Sequence, residues 1–257
     1  MNVFVMASGS KGNMTYLRMG EHRMFVDAGI SFRKIKLKME TYKEDLMSVR
    51  TLFITHEHRD HTMGLPMLLR YGAIERIYLT EGTYRSFAAD LKELMADRIV
   101  IVRADEPFSY GTISCTPFMV SHDAAEPVGY VFVYDGKKLV HLTDTGYVDE
   151  SYREMLSDAD IYIFEANHHP ESLMQSMRPF SLKKRILGER GHLSNDDAAY
   201  LINLWIARKP AVWVVSHISE DCNTVLDIEE AIVRAFDDPT KVTVYYATQD
   251  GLPVIVL

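Results

Sequence analysis

The chain has 257 residues, 47% of them hydrophobic and 25% charged, with a formal net charge of −8. The length gives one large domain or two small ones, with a core that needs no covalent staples, and the composition is that of an ordinary globular protein rather than a disordered or fibrous one. The negative balance excludes bulk attraction to nucleic acid or anionic lipid, so a polyanion must meet a local basic patch.

The N-terminal Met-Asn-Val-Phe-Val-Met-Ala turns polar at Ser8. It has neither a basic leader nor a long apolar run, so no signal peptide and no membrane span are expected. Cys115 and Cys222 stand far apart in no CxxC pattern. That argues against a disulfide framework or a thiolate zinc site and fits a reducing, cytoplasmic compartment. Apolar runs rich in Val, Ile, Phe and Tyr predict strands at residues 3–7, 24–27, 52–55, 77–79, 99–102, 113–120, 128–134, 139–142, 161–164, 212–216, 242–246 and 254–257. Longer amphipathic segments predict helices at 32–43, 63–71, 82–95, 150–156, 182–187, 195–207 and 226–236. The helix after Ser194 is well marked: Ser194 or Asn195 can cap it, and Asp196 and Asp197 suit its positive end. Asp135-Gly136 between two alternating runs is a hairpin signal. The whole reads as an α+β chain, two mixed sheets face to face with helices outside, in a single domain spanning 1–257.

The chemistry is concentrated in Thr55-His56-Glu57-His58-Arg59-Asp60-His61, directly after a predicted strand. Four donors fall within six residues, and His56 and His58, two apart, point the same way in extended chain. His122, Asp144 and His217 each follow the end of another predicted strand. Singly, each would be read as a loop or capping residue. Together they gather where strand ends meet, the usual location of ligands. Seven His/Asp donors exceed the need of one tetrahedral ion and suit two. His56, His58 and His122 are assigned to the first, Asp60, His61 and His217 to the second, with Asp144 bridging. Without a thiolate, Zn²⁺, Mn²⁺ and Fe suit the donors about equally.

These residues resemble the HxHxDH signature of the metallo-β-lactamase superfamily. Ser8-Gly9-Ser10-Lys11-Gly12-Asn13 and Asp27-Ala28-Gly29 are similar to its first motifs. Within it the chain looks most like the YycJ (WalJ-type) exonuclease branch, on SGSKGN, DAGIS (27–31), FEANH (164–168), LKKRILGERGHLSN (182–195) and SHISEDCN (216–223). GHLSN and SHIS also resemble late motifs of tRNase Z. The resemblance implies an αββα sandwich and a nucleic-acid-processing hydrolase. His169 departs from the acid expected after Asn-His, and Asp221-Cys222-Asn223 from a more amide-rich stretch; neither touches a metal ligand. Only 47 residues separate Asp144 from His192, too few for an RNase J-type insertion, and 21 separate His122 from Asp144, too few for a tRNase Z-type arm.

Two ions roughly 3.5–4 Å apart supply a bridging hydroxide near neutral pH for in-line attack on a phosphodiester. Asp60 is the candidate to orient it. His192 is the candidate general acid, held by Glu165, with His168 a possible contributor, largely by resemblance. His22 and His141 read as structural. Among the basic runs, Arg33, Lys34, Lys36 and Lys38 read as a solvated helix face. Arg178, Lys183, Lys184, Arg185 and Arg190 lie between two motifs, and Lys184 and Arg185, with Ser194 and Asn195, are taken as substrate contacts. The leading expectation is a DNA exonuclease acting 5′ to 3′ in DNA repair or replication. The alternatives are a small-ester hydrolase of lactonase or thioesterase type on the same ions, mildly favoured by the acidic charge, and a metal-free nucleic-acid-binding module, opposed by the complete donor set.

Overall fold

The structure is a computed structural model that describes all 257 residues. In chain order the elements are β1 (Asn2–Ala7), β2 (Met14–Met19), β3 (His22–Val26), α1 (Phe32–Thr41), β4 (Thr51–Phe53), α2 (Arg59–Thr62), α3 (Leu65–Tyr71), β5 (Arg76–Leu79), α4 (Glu81–Ser86), α5 (Ala89–Met95), β6 (Ile99–Ile101), β7 (Phe108–Tyr110), β8 (Ile113–Met119), β9 (Val128–Tyr134), β10 (Lys137–Leu142), α6 (Arg153–Leu156), β11 (Ile161–Glu165), α7 (Pro170–Gln175), α8 (Phe180–Ile186), α9 (Asn195–Trp205), β12 (Ala211–Ser216), α10 (Val225–Ala235), β13 (Val242–Tyr246) and β14 (Ile255–Val256). The strands form two mixed sheets of seven strands each, flanked by helices, which is the sheet and helix content expected of an αββα metallo-β-lactamase fold.

The chain divides into two compact units: residues 1–119, 124–128 and 248–257 in the first, 120–123 and 129–247 in the second. The first unit holds one sheet complete, in the order β14-β1-β2-β3-β4-β5-β6. Its strands are antiparallel from β14 to β3 and parallel from β3 to β6. Phe4, Tyr16, Phe25, Leu52, Leu65, Leu68 and Ile77 are among its buried core. Burial of side chains of this size contributes about 1.5–3 kcal/mol each. The hairpin β7–β8 also belongs to this unit.

In the second unit, β9 and β10 form the antiparallel hairpin around Asp135-Gly136, and β10 to β13 run parallel. Every residue of β11 is buried, as a parallel strand covered on both faces requires. Helix α9 sets Trp205 against Tyr162 and Phe164, with ring centroids 5.8 and 5.1 Å apart. A capping box between Thr224 and Asp227 starts α10.

The sequence reading differs from the structure at several elements. Residues 82–95 form two helices, not one: Phe87 is extended and buried in the core, which breaks the run. The predicted helix at 63–71 starts later, because the Gly64 amide donates to Ala28 O (2.7 Å) rather than within the preceding turn. The strand β2, the three-residue β7 and helix α7 were not anticipated.

Candidate functional site

In the first unit the segment after β4 is held by Asp27. This carboxylate is 1% exposed and accepts from the Thr55 amide and the Thr55 hydroxyl, each at 2.8 Å. Its Oδ2 also lies 2.8 Å from His61 Nδ1. A carboxylate accepts, so His61 carries its proton on Nδ1 and its lone pair on Nε2. The Thr55 hydroxyl proton is committed to Asp27, so its oxygen accepts from His56 Nδ1 at 3.0 Å. That likewise puts the His56 lone pair on Nε2. Both imidazoles are thus fixed in the tautomer a cation requires.

His58 stands at the N-cap position of α2, and its ring centroid lies 4.6 Å from that of His56, which lies 4.1 Å from that of His61. Asn13 of the SGSKGN loop reaches the same place. Its Nδ2 lies 3.2 Å from Asp60 Oδ2 and 3.0 Å from His61 Nε2, while its Oδ1 accepts from the Gly9 amide. The backbones are as close as the side chains: Asn13 N donates to Asp60 O (2.7 Å) and Ala28 N to His61 O (2.8 Å). A Cβ on Gly29 would sit 1.7 Å from Asp60 O, so only glycine fits there.

In the second unit Asp144, Glu165, His192 and His217 converge, each offering a ligand atom within 4.8 Å of the others. His217 Nε2 is 3.2 Å from Asp144 Oδ1. Glu165, fully buried at the end of β11, accepts from the Thr145 amide through one oxygen and lies 3.0 Å from His192 Nδ1 through the other. Asn167 Nδ2 donates to His217 O at 2.8 Å. His122 follows β8; its Nδ1 is 3.3 Å from Gly191 O, and its ring centroid is 5.3 Å from that of His192. Asp27, Asp144 and His217 all adopt positive φ, between 50 and 60°. Residues held in that sparsely populated region cluster at functional sites.

The electrostatics are those of titratable groups forced together around Asp144. Burial, then the charge of Asp144, raises the Glu165 carboxyl well above its ordinary range, with His217 opposing. Burial and the neighbouring His217 lower His192 to about 4. Glu165 and His192 therefore hold one proton between Oε2 and Nδ1. The anionic and imidazole donors of both units are the donor chemistry a divalent ion takes, and the buried Asp144, Glu165 and His217, this close together, are compensated best by a cation. The residues present fit such an ion.

His168 stands apart. It is 1% exposed, and neither ring nitrogen has a hydrogen-bond partner; burial lowers it to about 4. Ser194 caps α9 by accepting from the Asp197 amide, and Asn195 is buried and exchanges two amide hydrogen bonds with Asn223. Arg185 pairs with Asp123 through both Nε and Nη2, while Lys184 is exposed. The sequence reading did not assign roles to Asp27, Thr55, Asn13 or Asn167, although DAG and SGSKGN marked two of them as motif residues.

Residues 22–218 match the Beta-lactamase superfamily domain. Exodeoxyribonuclease YycJ of Bacillus anthracis is 35% identical over 219 residues, 85% of this chain and 83% of that one. Exodeoxyribonuclease WalJ of Streptococcus pneumoniae is 34% identical over 221 residues, 85% and 82% of the two chains. Among solved structures, the metallo-beta-lactamase fold protein YhfI of Bacillus subtilis superposes with a TM-score of 0.73 over 99% of this chain and 98% of its own, at 15% identity, which speaks for the fold alone. The donor sets, the fold and these likenesses agree: the chain belongs to the beta-lactamase domain superfamily and, within it, to the family of YycJ and WalJ exodeoxyribonucleases, and is a hydrolase.

Proposed function

We propose that the chain is a metal-dependent phosphodiesterase, a DNA exonuclease working 5′ to 3′, with a housekeeping role in DNA repair or replication in the cytoplasm. The observation that carries this reading is the donor set, in which buried partners meet the rings of His56, His61 and His217, in a chain of exodeoxyribonuclease kinship. His56, His58 and His122 would hold one divalent ion and Asp60, His61 and His217 a second, with Asp144 shared. Zn²⁺, Mn²⁺ or Fe suits the imidazole and carboxylate donors. Such a pair, when bound, supplies a water acidified to near neutrality and neutralises charge on the phosphoryl oxygens.

The chain's own residues do the rest. Asp60, held by Asn13, orients the attacking water. His192, with Nδ1 on Glu165, gives a proton from Nε2 to the leaving oxygen once it is the imidazolium; the raised Glu165 carboxyl and lowered imidazole place that shared proton within reach of either group. His168, buried beside the start of α9, contributes by positioning this loop against the substrate. Lys184 meets the phosphate backbone. Arg185 does so by exchanging its Asp123 partner for a phosphate. Ser194 and Asn195 support these contacts by fixing the start of α9.

The test is digestion of DNA, RNA and a panel of small esters, the nucleic acids labelled at either end, by the purified chain with Mn²⁺ or Zn²⁺. DNA loss from the 5′ end, abolished in Asp60→Ala, is the expected result. Turnover of esters alone would replace the nuclease reading with the small-ester one. His192→Ala is expected to lower turnover about 100-fold or more with metal content nearly intact; unchanged turnover would remove it from the mechanism.

A further inference from the structure

Helices α1 and α3 leave an apolar face uncovered in the first unit. Ile35 and Met39 turn the inner side of α1 into the core. On the outer side Leu37 is 60% exposed, and Met67 and Tyr71 of α3 are 42% and 59% exposed. The rings of Phe32 and Tyr71, with centroids 5.9 Å apart, join the two helices. These side chains line two adjoining hollows of about 610 and 460 Å³ that share Phe32, Lys36 and Glu40. Exposed singly, they would need no explanation, but a hollow lined by leucine, methionine and aromatic rings marks a surface that meets another.

The charges on this face are divided along α1. Arg33, Lys34, Lys36 and Lys38 precede Glu40, Glu44 and Asp45. Several are committed: Lys38 donates to Asp250 O, Glu44 is held by Arg18 and Tyr16, and Asp45 accepts from the Met47 amide. Arg33 and Glu40 are not. Both are exposed, both line the larger hollow, and neither forms an ion pair within the chain. Seven residues apart, they lie two turns apart on one side of the helix. A polyanion on this face would meet Glu40, Glu44 and Asp45 as well as the cations. A second copy of an acidic chain is attracted only where the charges balance locally, as they do here.

A two-fold axis brings the same patch of two molecules together, so the patch must carry both members of every contact. Set antiparallel about the midpoint between Lys36 and Leu37, two α1 helices meet this requirement. Arg33 and Glu40 each lie about 5 Å along the axis from that midpoint, at roughly 1.5 Å per residue, so each faces its opposite charge on the other helix. We propose that the outer face of α1 and α3 is the interface between two copies of this chain. Leu37 of each copy enters the hollow of the other, beside Phe32 and Met67, and Arg33 pairs with Glu40 of the second copy at both ends. Ser31, which caps α1, lies two residues after Gly29, whose backbone packs on Asp60 O, so the paired face is joined to the segment that supports a candidate ligand. The pairing does not depend on what the site hydrolyses.

The test is sedimentation velocity of the metal-loaded full chain from about 1 to 100 μM, with circular dichroism checking the fold of each variant. A dimer is expected. Its Kd should rise about tenfold or more in Arg33→Glu and in Glu40→Arg, where like charges meet twice. It should return to within about threefold of wild type in the double variant Arg33→Glu/Glu40→Arg, which restores both pairs. Leu37→Glu, at the centre, should leave only monomer over the same range. Arg33 and Glu40 have no partner in their own chain, so the charge series decides even if Leu37→Glu fails to fold. A wild type that stays monomeric throughout would overturn the proposal and leave the hollow to a peptide or a different protein. A dimer whose affinity is unchanged in both single charge variants would place the interface elsewhere and overturn it, as would a double variant that pairs no more tightly than the single ones.

Discussion

At the scale of single residues, the site is organised by groups that never need to touch substrate. Asp27 receives three hydrogen bonds and through them sets two histidine tautomers, directly for His61 and by way of Thr55 for His56. Asp27→Asn keeps the shape but can present an amide where an acceptor is needed, allowing the His61 ring to turn or change tautomer. Metal affinity is expected to fall about 10–100-fold, as for other carboxylates behind metal-bound histidines, with circular dichroism unchanged. Competition with a chelator measures it, and wild-type affinity would show that Asp27 does not orient the ligands. His168 gives a separate prediction, on stability. Its folded value near 4 lies below the ordinary 6.5, so between these values the unfolded chain binds the proton and the folded chain does not. Stability from this group is whole above pH 6.5 and declines as pH falls towards 4, by about 3 kcal/mol in all. His168→Phe in chelator should flatten the urea midpoint between pH 4 and 6.5 relative to wild type; parallel profiles would mean the imidazole is protonated in the fold.

At the scale of elements, the site depends on α2 lying close against the loops at Asn13 and Gly29. Gly29→Ala drives a Cβ into Asp60 O and Asn13 N, so α2 must shift, carrying Asp60 and His61 with it. Overpacking of this kind costs about 1–3 kcal/mol, a fall in melting temperature of roughly 2–10 °C for a chain of this size. Metal uptake should weaken together with it, and a variant that takes up metal as the wild type does would show that α2 adapts without moving its ligands. Elements such as this also show what sequence can and cannot convey. The strands that end at the donors were legible because their apolar runs are short and end at polar residues, as in Ala211–Ser216 before His217. The strand β2 was obscured because Arg18 and the methionines break its alternation, and its place is set by pairing with β1 and β3. The candidate donors could be singled out because His and Asp at strand ends have few other reasons to cluster. The partners of those donors could not, because Asp27, Thr55 and Asn167 make their contacts with residues up to 50 positions away in sequence.

At the scale of the whole molecule, the path of the chain bears on how it unfolds. The first unit is assembled from residues 1–119, 124–128 and 248–257, so neither unit is one continuous stretch. The last ten residues are not an appendage. β14 pairs with β1, Leu252 N donates to Val5 O, and Gln249 bonds both Lys11 N and Gly12 O, clasping the loop that presents Asn13. Residues 129–247 therefore lie within a loop whose two ends must both be in place for the first unit to form. We propose on this ground that the 257 residues act as one domain. Urea unfolding of the metal-free chain, followed by tryptophan fluorescence and far-ultraviolet circular dichroism, is expected to give coincident single transitions. Both tryptophans, Trp205 and Trp213, lie in the second unit, so fluorescence reports that unit while circular dichroism reports both. A fluorescence transition displaced from the circular dichroism curve would show that the units unfold separately and would overturn the single-domain reading.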